Sequence, residues 1–217
     1  MKPLSLTYVI REPKLNTPNP PVLILLHGYG SNEEDLFSFA PELPDEFLII
    51  SARAPLDVGM GGYAWYTLHF DNVNGKFSDI PEAINAREKV ATFIDEVISE
   101  FSVDPKKVFL LGFSQGTILS YAVALSYPEK VQKIIALSGY IDTDLLKEPK
   151  NKEDYQQLDF YISHGTVDQV LPIQLARQAP PYLNQLHIKH VFEEYNVGHG
   201  VAPQNFYALK KWIEARM

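Results

Sequence analysis

The sequence predicts an α/β domain with a mostly parallel sheet of about seven strands and helices on both of its faces. Short continuous apolar runs recur along the chain and read as strands buried on both sides. Between them lie stretches whose apolar residues repeat at i, i+3 and i+4, the spacing of an amphipathic helix. One run, residues 108–112, ends in Gly-Phe-Ser-Gln-Gly and passes at once into a second apolar stretch, so a strand turns sharply into a helix.

In order, residues 4–10 (LSLTYVI) alternate roughly and residues 22–26 (VLILL) are uniformly apolar, giving two strands. The four prolines of residues 11–21 forbid regular structure between them. Residues 47–52 (FLIISA) give a third strand. Residues 53–77 are rich in Gly and aromatics without a period, and read as a long functional loop. Residues 80–101 form the clearest helix, with Ser78 or Asp79 as cap, Pro81 in the first turn and a stripe through Val90, Phe93, Ile94 and Val97. Strand 108–112, helix 117–126, strands 133–139 and 159–165, a helix from Ile173, strand 188–195 and a final helix 203–216 follow. With no linker, repeat or low-complexity segment, one domain over residues 1–217 is expected.

The net charge of −8, with no basic stripe, argues against nucleic acid and anionic membrane as partners. There is no cysteine, which removes disulfides, thiolate metal sites and a cysteine nucleophile together. The first residues lack an apolar signal core, and no run reaches the ~18 apolar residues of a membrane span. A soluble cytoplasmic protein is the expectation. Its oligomeric state, monomer or homodimer, is open at this stage.

Gly112–Gly116 (GFSQG) fits G-x-S-x-G in its required context of strand, turn and helix. A strained backbone at Ser114 would lift its Oγ above the sheet, and side chains at the flanking glycines would strike neighbouring elements. The turn also directs the Gln115 N–H beside that Oγ. A serine nucleophile needs a base and an orienting acid, in the chain order Ser, Asp or Glu, His. Of the three histidines after Asp168, His187 and His190 lie at or in a strand, which leaves His199 between Gly198 and Gly200. Asp168 follows strand 159–165 at its carboxyl end, where α/β sheets keep their sites, and Asp142 is its main competitor. The second oxyanion donor is expected in the turn after the early strand, LLHGYGSNEEDL, at the Tyr29 N–H, with His27 as a structural residue. No nucleotide-binding glycine motif and no H-E-x-x-H metal motif is present.

Taken together, LLHGYGSNEEDL, RAP…GGYAWY, GFSQG, SHGTVDQVLP and GHGVAPQNF resemble the phospholipase/carboxylesterase family of α/β-hydrolases, which includes the acyl-protein thioesterases. The motifs span most of the chain in family order. The resemblance implies a Ser114–His199–Asp168 triad, oxyanion donors at Tyr29 and Gln115 and a small, nearly lidless fold, while the scattered histidines make no metal set and no cofactor is expected. It also places Trp65, Tyr66 and Leu171 near an acyl pocket. The expected activity is serine-esterase hydrolysis of a small ester or thioester, with lysophospholipase or acyl-protein thioesterase as alternatives. An acyltransferase and a non-catalytic binding protein on the same fold are the remaining readings.

Overall fold

In the computed structural model, residues 4–71 and 75–217 are described. The chain runs β1 (Tyr8–Arg11), β2 (Val22–Leu26), α1 (Glu34–Phe37), β3 (Leu48–Ala52), β4 (Leu56–Gly59), β5 (Gly62–Ala64), β6 (Leu68–Asp71) and β7 (Gly75–Ser78). Then come α2 (Ile80–Phe101), β8 (Val108–Phe113), α3 (Gln115–Ser126), β9 (Lys133–Leu137) and β10 (Asp159–Gly165). The last elements are α4 (Ile173–Ala176), α5 (Ala179–Gln185), β11 (Lys189–Tyr195) and α6 (Pro203–Glu214).

One seven-stranded sheet has the order β1-β3-β2-β8-β9-β10-β11. Every neighbouring pair is parallel except β1 with β3, which is antiparallel at the edge. Successive side chains on a strand point to opposite faces, so the inner strands feed two cores. Val22, Ile24 and Leu26 join Leu110 and Ile134 beneath Val90, Phe93 and Ile94 of α2 and Leu119 of α3. Leu23 and Leu25 join Phe109, Leu111 and Ile135 against Leu36 of α1 and Leu209, Trp212 and Ile213 of α6. Helices therefore cover both faces, which is why the strands read as unbroken apolar runs.

The cap of α2 is Asp79, whose carboxylate accepts the Glu82 N–H at 3.0 Å, and the helix ends at Ser102 in the left-handed region with φ of 50°. Three expectations are corrected. The first strand begins at Tyr8, not residue 4. The segment read as an aperiodic loop holds two antiparallel hairpins, β4–β5 and β6–β7, although its residues 72–74 lie outside the described residues. The helix expected from Ile173 is divided into α4 and α5, because Pro180 and Pro181 lack the N–H groups a continuous helix needs and suit only a first turn. Among the described residues, no helix is long and apolar enough to cross a membrane.

After β2 the chain moves to β3 on one side, then crosses to β8 on the other. The carboxyl ends of β2 and β8 thus flank the point where strand order reverses, the usual place for a ligand crevice.

Candidate active site

Ser114 lies between β8 and α3 with φ of 53° and ψ of −115°, a conformation that side chains rarely adopt. The flanking glycines make it possible. A Cβ on Gly112 would stand 2.4 Å from the Gly116 carbonyl oxygen, and one on Gly116 would stand 2.0 Å from the Leu26 carbonyl oxygen. The elbow is pinned by the Ser114 N–H, which donates to the Leu137 carbonyl at 2.9 Å.

The structure brings Ser114, His199 and Asp168 together. His199 Nε2 is 2.9 Å from Ser114 Oγ, and His199 Nδ1 is 2.7 Å from Asp168 Oδ2. Asp168 Oδ1 accepts the N–H groups of Val170 and Leu171 at 2.8 and 2.9 Å. Burial pushes this carboxyl up, but the hydrogen bonds from His199, Leu171 and Val170 outweigh it and hold it below the usual carboxylate range. An ionised Asp168 can only accept, so His199 Nδ1 carries the proton and Nε2 is left to receive one from Ser114. The loops bearing the acid and the imidazole are joined: the Thr166 N–H donates to the Tyr195 carbonyl at 2.7 Å and the Val167 N–H to the Val197 carbonyl at 3.2 Å. Phe113 packs on the His199 ring at 4.9 Å between centroids. Asp142, the competing acid, caps a turn by accepting the Asp144 N–H and does not join the relay.

The turn after β2 comes up against the elbow; a Cβ on Gly28 would lie 3.3 Å from Ser114 Cβ. Among the described residues, the backbone N–H groups of Tyr29 and Gln115 have no protein acceptor. Both residues line a cavity of about 230 Å³ that Ser114 also lines. Tyr66, Leu68, Ile118, Leu171 and Leu175 complete most of its apolar wall, so two of the three expected acyl-pocket residues reach it. Trp65 does not. It is 1% exposed in the core, and its indole N–H is bound to the His27 carbonyl. The family resemblance put it near the pocket; an indole N–H that finds its partner inside the protein turns it away.

Two residues escaped the sequence reading. His164, at the end of β10, is wholly buried, with Nε2 2.7 Å from the Leu171 carbonyl and 3.3 Å from Asp168 Oδ2. The Gln115 side chain, expected to play no part, binds both Trp65 and Tyr66. The position of His164 four residues before Asp168 was a usable signal; nothing local marked the Gln115 partners. Among the described residues, no group of three or more His, Cys, Asp or Glu side chains is arranged to hold a metal.

A serine–imidazole–carboxylate relay at the carboxyl end of a mostly parallel sheet, approached through a strand–elbow–helix turn, defines an α/β-hydrolase. The chain belongs to the Phospholipase/Carboxylesterase family, whose model matches residues 8–217. It is accordingly an ester-hydrolysing enzyme of the serine-hydrolase type. A probable carboxylesterase of Oryza sativa subsp. japonica is 26% identical over 207 residues, covering 90% of this chain and 77% of that protein. Acyl-protein thioesterase 1 of Candida albicans is 26% identical over 209 residues, 89% of each chain. The crystal structure of the Bacillus cereus carboxylesterase shares the fold with a TM-score of 0.83 at 19% identity, over 98% of this chain and 95% of that one.

Proposed function

We propose that the enzyme is a serine carboxylesterase that cleaves small carboxylic esters or thioesters through an acyl-enzyme on Ser114. The observation that carries this reading is the unbroken relay from Ser114 Oγ through His199 to Asp168 beside an apolar cavity. His199 Nε2 takes the Ser114 hydroxyl proton as Oγ attacks the carbonyl carbon. Charge develops on the carbonyl oxygen, and the N–H groups of Tyr29 and Gln115 receive it. As the tetrahedral centre collapses, His199 returns the proton to the leaving alcohol or thiol. A water molecule then repeats the sequence on the acyl-enzyme, with His199 as base, and releases the acid. Asp168 holds the imidazole in the tautomer both steps need and stabilises the imidazolium.

The cavity of about 230 Å³ falls below the ~300–1,000 Å³ usual for drug-sized ligands, and it supports a preference for short acyl chains. A p-nitrophenyl ester series from acetate to dodecanoate tests both parts of the reading. The expected kcat/KM is highest among the short chains, and Ser114→Ala lowers kcat by about 10⁶-fold. An optimum at dodecanoate would exclude the short-chain preference. Near-native turnover by folded Ser114→Ala would exclude the mechanism.

A further inference from the structure

The inference rests on the esterase reading and concerns what holds its two oxyanion donors in place. The Tyr29 N–H shares a peptide plane with the Gly28 carbonyl, and in a trans peptide the two point in opposite directions. Whatever anchors the Gly28 oxygen therefore aims the Tyr29 N–H. Two groups anchor it: the His27 ring, with Nδ1 2.7 Å from that oxygen, and the Ser31 N–H, which donates to it at a longer 3.3 Å. The His27 tautomer is set from the other side. Nε2 lies 3.0 Å from the Ala54 N–H, which can only donate, so the ring proton sits on Nδ1 and goes to Gly28. Burial holds the ring below the ordinary histidine range and keeps it in this neutral form.

Trp65 joins this arrangement to the second donor. Its indole Nε1–H donates to the His27 carbonyl at 2.9 Å, and the two rings lie 5.6 Å apart. Its backbone N–H donates to Gln115 Oε1 at 2.9 Å, while Gln115 Nε2 donates to the Tyr66 carbonyl at 2.8 Å. Trp65 and Gln115 are both almost fully buried, so none of these bonds is shared with bulk water.

We propose that His27, Trp65 and the Gln115 side chain form one strut that fixes the separation and direction of the Tyr29 and Gln115 N–H groups. The oxyanion hole is then set as a unit. His27 and Trp65 are positioning residues, and Gln115 acts twice: its N–H on the substrate, its carboxamide on the strut. Donors aimed at a developing oxyanion act on the transition state, not on the bound ester, so loosening the strut weakens transition-state binding selectively.

Trp65→Phe keeps a buried aromatic ring and removes the indole N–H; Gln115→Met keeps the length and removes the carboxamide. Each is read with p-nitrophenyl butyrate, with an alkyl trifluoromethyl ketone whose adduct with serine places an oxyanion in the hole, and with butyramide as a ground-state analogue. In either single variant we expect kcat/KM to fall about tenfold and the ketone Ki to rise by the same factor, with the butyramide Ki within about twofold. The double variant should be no more than about twofold worse than the poorer single, where independent contributions would multiply to about a hundredfold. Wild-type kcat/KM in a folded Trp65→Phe, equal weakening of ketone and amide, or a multiplicative double variant each overturns the strut. If Trp65→Phe does not fold, Gln115→Met alone decides by the ketone-against-amide comparison. A wild-type enzyme that neither cleaves the ester nor binds the ketone would instead overturn the esterase reading, and the strut with it.

Discussion

Asp168 shows how a single carboxylate can be committed to one task. Its Oδ1 is taken by two backbone N–H groups of its own loop, which leaves Oδ2 aimed at His199. Those bonds hold its pKa down against the effect of burial, so it is ionised throughout the neutral range. Asp168→Asn preserves the shape but sets an amide that can donate beside His199 Nδ1. The imidazole then favours the tautomer with its proton on Nε2, and no lone pair faces Ser114. We expect kcat to fall by about 10⁴-fold while the circular-dichroism spectrum stays native. A loss of less than tenfold would remove Asp168 from the relay. At this scale the sequence was most informative, since chain order and strand ends narrowed five aspartates to Asp168 and Asp142. The resemblance already favoured Asp168, and the fold sets the two apart by their partners, since Asp168 meets His199 while Asp142 caps a turn. The Gln115 carboxamide was illegible, as its partners lie about 50 positions back in the chain.

At the scale of elements, the elbow is a junction where three pieces of backbone meet with no room for a methyl group. Gly116, the second residue of α3, abuts the end of β2, and a Cβ there would overlap the Leu26 carbonyl oxygen. Gly116→Ala should therefore cost about 1–3 kcal/mol from overpacking, more if β2 cannot shift. The shift would also displace His27 and the turn after it, so kcat/KM for p-nitrophenyl butyrate should fall with stability. Denaturant midpoints and kinetics on the same preparation check this, and an unchanged midpoint would show that the junction has slack. The same crowding is what made the elbow legible, since few sequences put glycines on both sides of a serine between two apolar runs. The hairpins β4–β5 and β6–β7 were not legible. Each is a short two-stranded ribbon of three or four residues per strand outside the main sheet, too short to write a period of two into a sequence. Pro180 and Pro181 mark the first turn of α5, a break that the single helix expected from Ile173 did not register.

At the scale of the whole molecule, β2 is the strand on which fold stability and the site depend together. It lies between β3 and β8, all five of its residues are buried, and it delivers His27 to the reversal point of the sheet. His27 is itself fully buried, with Nε2 accepting from Ala54 beyond β3 and Nδ1 donating to Gly28. Burial lowers its pKa in the folded protein, whereas the unfolded chain regains an ordinary histidine near 6.5. Below pH ~6.5 the unfolded state binds a proton that the folded state refuses, so this residue's contribution to stability is complete above that pH and is lost as pH falls towards the folded value. One proton changes stability by at most about 1.4 kcal/mol per pH unit, equivalent to roughly 3–6 °C in Tm for a chain of this size. His27→Gln keeps an acceptor for Ala54 and a donor for Gly28 but cannot titrate. Calorimetric scans from pH 7 to 5 should show a wild-type Tm that falls more steeply than that of His27→Gln, by up to ~3–6 °C per pH unit over that window. Parallel slopes would mean that the folded protein accepts the proton at His27 and that the Ala54 contact does not constrain the ring.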